Sequence, residues 1–228
     1  MSKDSTDISL AHTPSREDII HQVHLALDAH FPDFNDKIDR RLIAIAGPPG
    51  AGKSTLVQDL YQSAKAHDRD RIHILPMDGF HLDNHILEER NLLARKGAPQ
   101  TFDTDSFHQI IARVAANAET VFHPVFDREQ DMAIAKAGSI PPGSGTIYIE
   151  GNYLLLNEMP WAQYRHYFDM TIFLKPSIEI LKKRLLDRWL TLGLNHSEAL
   201  EKTMKNDMPN GKRVITQSGH ADIVITIG

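Results

Sequence analysis

With 228 residues, of which 41% are hydrophobic and 24% charged, the chain is long enough for one ordinary α/β domain with a buried core. Its net charge of -5 argues against a nucleic-acid-binding protein, which needs a basic face. There is no cysteine, so disulfides, thiolate metal sites and cysteine nucleophiles are excluded, and no apolar run approaches the roughly 18 residues of a membrane span.

The amino-terminal segment differs in composition from the rest of the chain. Residues 1–14 are polar and lack the apolar core of a signal peptide, so we expect a disordered tail and a cytoplasmic protein. Ser15 and Asp18 then have the spacing of a capping box, which predicts that a helix begins at residue 16. Residues 15–228 are predicted to form a single domain.

Short apolar runs alternate with helical patterns along most of this domain. Uninterrupted apolar runs indicate buried parallel strands, and apolar residues spaced three or four apart indicate helices. Strands are predicted at 41–47, 71–79, 145–151, 168–176 and 221–228. Helices are predicted at 16–31, 53–67, 178–192 and 197–207. The alternation predicts a parallel sheet with helices on both faces.

Residues 80–142 do not follow that alternation. They contain no clear strand, only helix-like pieces and polar loops. A stretch of about sixty residues between two core strands is too long for a plain connection. We therefore expect an insertion that builds a binding surface.

The stretch AIAGPPGAGKSTL, residues 44–56, carries the strongest functional signal. It matches GxxxxGK[ST] between a predicted strand and a predicted helix. The glycines let backbone N–H groups surround a β-phosphate, the lysine brings a positive charge to the β- and γ-phosphates, and the serine hydroxyl is a ligand for Mg²⁺. The predicted nucleotide-binding residues are Gly47, Gly50, Ala51, Gly52, Lys53, Ser54 and Thr55.

The loop alone does not distinguish kinases from switches, transporters and motors. The guanine motif N/TKxD of GTPases and the LSGGQ signature of transport ATPases are both absent. Instead, Asp78 lies at the end of the second predicted strand and Glu150 at the end of the third. Ligands of open α/β sheets bind outside the carboxyl ends of the strands, so both carboxylates are predicted to face the phosphates.

Five ordered blocks, from about residue 40 to the end, carry a family resemblance: GPPGAGKST, MDGFHLDN, RKGAPQTFD, IYIEGNYLLL and NDMPNG…ADIVI. The chain resembles the P-loop kinases grouped around uridine kinase, phosphoribulokinase and bacterial pantothenate kinase. It is most similar to their nucleoside/nucleotide kinase-like branch, some of whose members are called fructose transport system kinases. The resemblance implies an α/β P-loop NTPase fold, a parallel five-stranded sheet with helices on both faces and a helical or loop insertion for substrate.

The resemblance also implies roles for the two carboxylates at the strand ends. Asp78 matches the family's general base, which accepts the proton of the acceptor hydroxyl. Glu150 matches an acid that orients magnesium-bound water. The plainer alternatives are a turn-forming Asp-Gly pair for Asp78 and a capping or ion-pairing role for Glu150.

RKGAPQTFD is similar to a family segment that contacts the phosphate acceptor. This implies that Asp103 hydrogen-bonds substrate hydroxyls and that Arg95 and Lys96 meet an anionic group. A solvated loop is the alternative for the two basic residues. His81 lies just past the predicted base and is a further substrate candidate.

HPVFDRE, residues 123–129, resembles the family's acceptor-side P-x-Y-D/S-H stretch but departs from it. Phe126 replaces the usual tyrosine, and Arg128 stands where a histidine is common. Asp127 and Arg128 are predicted substrate contacts. Arginine suits bidentate recognition of a carboxylate or a phosphate.

Arg184 and Arg188 are four residues apart, so they share one face of the helix predicted after Ser177. In the family such arginines form a lid over the transferring phosphate, which implies a lid at 182–196 and a catalytic role for both. A solvated basic face is the alternative.

These patterns predict an ATP- and Mg²⁺-dependent kinase whose acceptor is an alcohol group of a small sugar, nucleoside, pantothenate-like or glycerate-like metabolite. Lys53 is expected to hold ATP, Ser54 and Glu150 to hold Mg²⁺, and Asp78 to activate the acceptor. The rival is a regulatory P-loop protein that uses nucleotide binding to switch a partner. A polynucleotide kinase is disfavoured by the acidic charge. No nucleic-acid or membrane partner is expected, and a homodimer stays open.

Overall fold

The fold is known from a computed structural model, which describes residues 6–8 (backbone only), 15–33, 35, 39–64 and 69–228. The strands within these residues are β1 (Thr6–Ile8), β2 (Arg40–Ala46), β3 (Ile72–Pro76), β4 (Val121–Asp127), β5 (Met132–Ile140), β6 (Gly145–Gly151), β7 (Met170–Pro176) and β8 (Ile223–Ile227). The α-helices are α1 (Arg16–His30), α2 (Lys53–Ser63), α3 (Asn84–Glu89), α4 (Thr104–Ala116), α5 (Ile178–Thr191), α6 (His196–Lys202) and α7 (Met208–Gln217).

The centre of the molecule is a parallel sheet with the strand order β1-β8-β7-β2-β6-β3. Five of these strands coincide with the five predicted apolar runs, and the predicted α/β fold with helices on both faces is confirmed. All seven residues of β6 are buried, as are five of the seven in β2, because both strands lie inside the sheet. Such strands are covered on both faces, which explains their continuous apolar sequences.

The sixth strand corrects the prediction of a disordered tail over residues 1–14. Thr6–Ile8 pair in parallel with Ile223–Ile225. Without this pairing β8 would be an edge strand with unpaired N–H and C=O groups, and β1 satisfies them. The remaining residues of the predicted tail, 1–5 and 9–14, lie outside the described residues.

Helices pack against both faces of the sheet. On one face, α1 and α2 bury Val23, Leu27 and Leu60 against a cluster that includes Ile43 and Ile45 of β2. On the other face, α4 and the 3₁₀ segment Trp161–Tyr167 join a second cluster. The first helix begins as predicted, because Ser15 Oγ accepts from Asp18 N at 3.1 Å and Asp18 Oδ2 accepts from Ser15 N at 3.1 Å.

The segment between β3 and β6 contains more than the predicted helices and loops. It holds α3, α4 and an antiparallel hairpin, β4–β5. The prediction of no strand in 80–142 is therefore wrong. The pattern was obscured because Pro124 interrupts β4, where the register shifts between His123 and Val125, and because β5 is rich in alanine.

The helix predicted at 197–207 is shorter and leads into another. The α6 helix ends at Lys202, a π-helical turn covers Thr203–Asp207, and α7 continues directly from it. Pro209 lies in the first turn of α7 and has no N–H to donate to the preceding turn, where Lys205 O accepts from Arg95 at 2.9 Å. Among the helices described, none has both the length and the apolar sequence required to traverse a lipid bilayer.

Candidate functional site

The P-loop connects the end of β2 to the first residue of α2. Gly50 and Gly52 have φ values of 80° and 97°, and Gly52 is the N-cap residue of α2. A residue with a Cβ is strained in this left-handed region, so the backbone conformation of the loop requires glycine at both positions of the GxGK stretch. A Cβ on Gly47 would lie 2.6 Å from Leu174 O. The first N–H groups of α2 have no intrahelical partner and form a donor-rich end suited to an anion.

Lys53 is buried at the start of α2, with 7% of its surface exposed. Its Nζ donates to Asn152 Oδ1 at 2.6 Å and to Pro48 O at 3.0 Å. Burial lowers the pKa of Lys53, and the charges of Glu150 and Asp78 oppose that shift. Asn152 has no role in the sequence-based prediction. Its signal was a polar residue two positions after Glu150, inside an otherwise apolar run.

Glu150 lies at the end of β6, paired with Ile45 of β2, and is 7% exposed. Ser54 Oγ donates to Glu150 Oε1 at 3.1 Å. Burial and the neighbouring charge of Asp78 raise the pKa of Glu150, while Lys53 and the hydrogen bond from Ser54 act in the opposite direction. A buried carboxylate in this position is stabilised by a cation.

Ser54 and Glu150 together fit a magnesium ion. Mg²⁺ prefers oxygen ligands and is usually held by one or two protein groups, phosphate oxygens and water. The hydroxyl and the carboxylate supply two such oxygens at the phosphate-facing end of the sheet. No group of three or more histidine, aspartate or glutamate side chains is arranged for a metal in the described parts of the chain.

Asp78 lies beside this cluster, in the 3₁₀ turn Met77–Phe80 that follows β3. Two residues before it, Pro76 pairs with Glu150, so the two carboxylates come from adjacent strand ends. The Asp78 side chain is 34% exposed, and its Oδ2 lies 3.8 Å from an amino nitrogen of Arg128. The two carboxylates therefore lie at neighbouring strand ends, and the charge of Asp78 acts on Glu150.

His81 lies one turn beyond Asp78, with its ring between those of Phe102 and Phe126 at centroid distances of 4.1 and 4.7 Å. Its Nδ1 is 2.8 Å from Asp78 O. Because a carbonyl only accepts, Nδ1 carries the hydrogen, and neutral His81 presents Nε2 as an acceptor. Burial lowers the pKa of His81, which favours this neutral form.

Two predicted acceptor residues have their carboxylates in local backbone caps. Asp103 caps α4, with its Oδ1 accepting from Ser106 N at 3.0 Å. Asp127 Oδ1 accepts from Glu129 N at 2.9 Å and from Gln130 N at 3.0 Å, which closes the β4–β5 turn. The capping signal was readable at Asp103, since it precedes a helical pattern.

Lys96 and Arg95 also have protein partners. Lys96 Nζ donates to Asn84 Oδ1 and to Asp131 O, both at 2.7 Å, and pairs with Asp131 Oδ2 at 2.9 Å. It therefore holds the tip of the β4–β5 hairpin.

Arg95 and the backbone of Lys96 face the opposite way, towards α7. Arg95 donates to Lys205 O at 2.9 Å and to Asn210 Oδ1 at 3.1 Å, and Asn206 Nδ2 donates to Lys96 O at 2.9 Å. We call this set of contacts the 95–210 bridge. It joins the insertion to the carboxyl-terminal helices.

Arg184 and Arg188 lie on α5, next to the P-loop. A terminal nitrogen of Arg184 donates to Ala51 O at 3.1 Å and to Gly50 O at 3.4 Å. Arg188 lies near Trp189, whose Nε1 donates to Asp207 Oδ2 at 2.6 Å. The positive charge of Arg188 also acts on Lys53, lowering its pKa.

Comparisons with known proteins agree with this geometry. Residues 42–228 match the family described as Phosphoribulokinase / Uridine kinase family. The uncharacterized protein YggC of Escherichia coli (strain K12) is 32% identical over 187 residues, covering 82% of this chain and 77% of YggC.

Two further relatives carry provisional kinase names. A Schizosaccharomyces pombe protein, provisionally named uridine kinase C227.14, is 33% identical over 197 residues, covering 82% of this chain and 83% of its own. A crystal structure from Silicibacter sp. TM1040, provisionally described as a fructose transport system kinase, is 36% identical. It covers 93% of this chain and 99% of its own, with a TM-score of 0.77.

Proposed function

Because this chain belongs to the phosphoribulokinase and uridine kinase family, we propose that it transfers the γ-phosphate of ATP to an alcohol group of a small metabolite. The position of Asp78 carries the proposal. A partly exposed carboxylate lies at a strand end adjacent to Glu150 and within electrostatic reach of Lys53. Phosphoryl transfer to an alcohol requires such a group, and nucleotide binding alone does not.

The nucleotide is held by the P-loop. The proposed contacts are the backbone and side chains of Gly47, Gly50, Ala51, Gly52, Lys53, Ser54 and Thr55. Lys53 Nζ donates to Asn152 Oδ1 and Pro48 O, which places its ammonium group at the loop. Such preorganisation reduces the reorganisation needed when the triphosphate binds.

Ser54 and Glu150 are the proposed holders of Mg²⁺. The ion, when bound, neutralises charge that develops on the β- and γ-phosphates. Glu150 accepts a hydrogen bond from Ser54, so the two groups already share one site. The carboxylate, buried at some cost, becomes more favourable next to a divalent cation.

Asp78 acts as the base. The acceptor oxygen forms a bond to the γ-phosphorus, the bond from that phosphorus to the bridging oxygen of ADP breaks, and the hydroxyl proton passes to Asp78. Arg184 and Arg188 then stabilise the charge on the transferring group from the lid at 182–196 and exclude water. Their positions beside the P-loop and Lys53 support this role.

The insertion between β3 and β6 supplies the acceptor side. We propose that His81, Asp103, Lys96, Asp127 and Arg128 surround the metabolite. Among them, Asp103, Asp127 and Lys96 contribute by shaping α4 and the β4–β5 hairpin. His81 and Arg128 have donor or acceptor atoms available for direct contact, and sugars, nucleosides, pantothenate-like and glycerate-like compounds all remain candidates.

ADP release from ATP and Mg²⁺, measured against pools of sugars, nucleosides, sugar acids and pantothenate, tests the function. One pool should stimulate turnover, and Asp78→Asn should lower the stimulated rate by about 10²- to 10⁴-fold while ATP still binds. Asp105→Asn, an exposed carboxylate on the insertion, is the matched control and should keep full activity.

A regulatory protein that switches a partner is the alternative. It predicts tight ATP binding with no acceptor-stimulated turnover and no effect of Asp78→Asn. The presence of Asp78 at the strand end counts against it, because a switch has no need of an acceptor base.

A further inference from the structure

The basic side chains of the acceptor side differ in how fully they are engaged. Arg95 donates to the π-helical turn and to α7, and Lys96 donates to the hairpin. Arg128 makes one loose ion pair, 3.8 Å to Asp78 Oδ2, and has no hydrogen bond in the part of the chain that the structure describes. Its side chain is 63% exposed. A guanidinium with five donors therefore lies beside the proposed base with its donors unused.

The backbone that carries Arg128 is held firmly at this place. The carboxylate of Asp127 accepts from two backbone N–H groups of the turn, at 2.9 and 3.0 Å. At the other end of the turn, Asp131 is held by Lys96 at 2.9 Å and by Asn84 at 3.1 Å. The hairpin tip is thus fixed next to Asp78 while the Arg128 side chain can change partners.

We propose that the acceptor alcohol carries an anionic group, a carboxylate or a phosphate, and that Arg128 binds this group while Asp78 takes the hydroxyl proton. The proposal rests on the kinase function and narrows its substrate class. Guanidinium geometry matches both oxyanions through paired N–H donors. Arg128 is then a specificity-determining residue.

The charge balance of the site favours this assignment. Lys53 and the proposed Mg²⁺ offset negative charge on the phosphate side of the site, so an anionic group on the acceptor needs a cation of its own beside Asp78, and Arg128 lies 3.8 Å from that carboxylate. An exposed ion pair such as Arg128–Asp78 is weak, and the anionic group of the acceptor can displace it. Displacement leaves the Asp78 carboxylate free to accept a proton.

The alternative role for Arg128 is to bind the transferring phosphate, since its positive charge also lowers the pKa of Lys53 and of Glu150. The two roles differ in one measurable respect. A specificity residue acts only on anionic acceptors, whereas a phosphate clamp acts on every acceptor alike.

Three matched pairs of probes separate these roles: glycerate with glycerol, pantothenate with panthenol, and ribose 5-phosphate with ribose. Their dissociation constants are measured by calorimetry in the presence of Mg²⁺ and a non-hydrolysable ATP analogue, and their turnover by ADP release. At least one anionic probe should bind about 10-fold more tightly than its neutral twin. Arg128→Gln should weaken that probe by about 10- to 100-fold and leave the neutral twin and the nucleotide unchanged.

Two further variants serve as controls. Arg128→Lys should restore part of the affinity, because a point charge replaces the planar fork. Lys136→Gln removes the same charge from an exposed position of β5 and should change nothing. The pair whose anionic member loses affinity in Arg128→Gln identifies the anion. Glycerate and pantothenate test a carboxylate, and ribose 5-phosphate tests a phosphate.

The proposal is wrong if every neutral twin binds as tightly as its anionic partner, or if Arg128→Gln weakens turnover of both members of a pair equally. Absence of acceptor-stimulated ADP release from the wild-type protein would instead refute the kinase function. The binding measurements still decide the role of Arg128 in that event.

Discussion

Asn152 holds the buried cation of the P-loop, and Asn152→Ala tests this arrangement directly. Lys53 has two acceptors, Asn152 Oδ1 at 2.6 Å and Pro48 O at 3.0 Å, and is 7% exposed. A hydrogen bond to a charged group contributes about 1.5–3 kcal/mol. The variant should therefore lose about 1.5–3 kcal/mol of unfolding free energy without nucleotide, which for a chain of this size lowers Tm by about 3–12 °C.

Thermal and urea unfolding, with and without Mg²⁺ and an ATP analogue, measure this loss. The deficit should shrink when nucleotide is bound, because the phosphates give Lys53 a new partner. The control is a double-mutant cycle with Lys53→Met, in which Asn152→Ala should cost less than about 0.5 kcal/mol. An equal loss in both backgrounds would refute the reasoning, since Asn152 would then stabilise the fold independently of Lys53.

Three further changes test other parts of the site. Because burial raises the pKa of Glu150 above its usual 4.5, the contribution of this carboxyl group to stability falls as pH rises from 4.5 to its raised folded-state pKa. In urea titrations over this window the wild type should lose more stability than Glu150→Gln, and a pH-independent difference would contradict this. A Cβ on Gly79 would lie 2.2 Å from Pro124 O, so Gly79→Ala should cost about 1–3 kcal/mol in urea unfolding; an unchanged midpoint would show that the turn and the hairpin can separate freely. Lys96→Met should speed amide exchange across the hairpin tip near Asp131 with ATP affinity unchanged, whereas a residue that only binds substrate would leave exchange unaltered.

The site residues that could be predicted from the sequence are recognisable from the pattern of residues a few positions away. The P-loop follows from its glycines and from the strand and helix on either side, and Asp78 and Glu150 follow from their positions at strand ends. The polar residue Asn152 stands out in an apolar run, but the sequence does not reveal its role, which arises only where the turn after β6 comes within reach of Lys53. Lys53 and Asn152 are 99 residues apart in the sequence, so no local pattern indicates their contact.

The same reasoning explains what was missed in the insertion. The β5 sequence MAIAKAGSI is poor in β-branched and aromatic residues, so its strand depends on pairing with β4 and not on local preference. The close packing of β5 against β4 shows that β5 depends on this pairing, since a Cβ on Gly138 would lie 2.3 Å from the His123 ring. The basic residues at 95 and 96 were predicted to meet substrate because sequence gives no sign of their partners on α7 and at the hairpin tip.

The 95–210 bridge has a consequence for exchanging parts between relatives. The proposed acceptor side is one continuous stretch between β3 and β6, whereas the proposed nucleotide side draws on β2, β6 and α5. A graft of residues 81–142 alone is nevertheless not enough to transfer acceptor preference. It would leave Arg95 facing foreign groups at positions 205 and 210, and Lys96 O without its donor Asn206. A working chimaera must also include the π-helical turn and the start of α7. Two separate segments of the sequence therefore have to be transferred together to transfer acceptor preference.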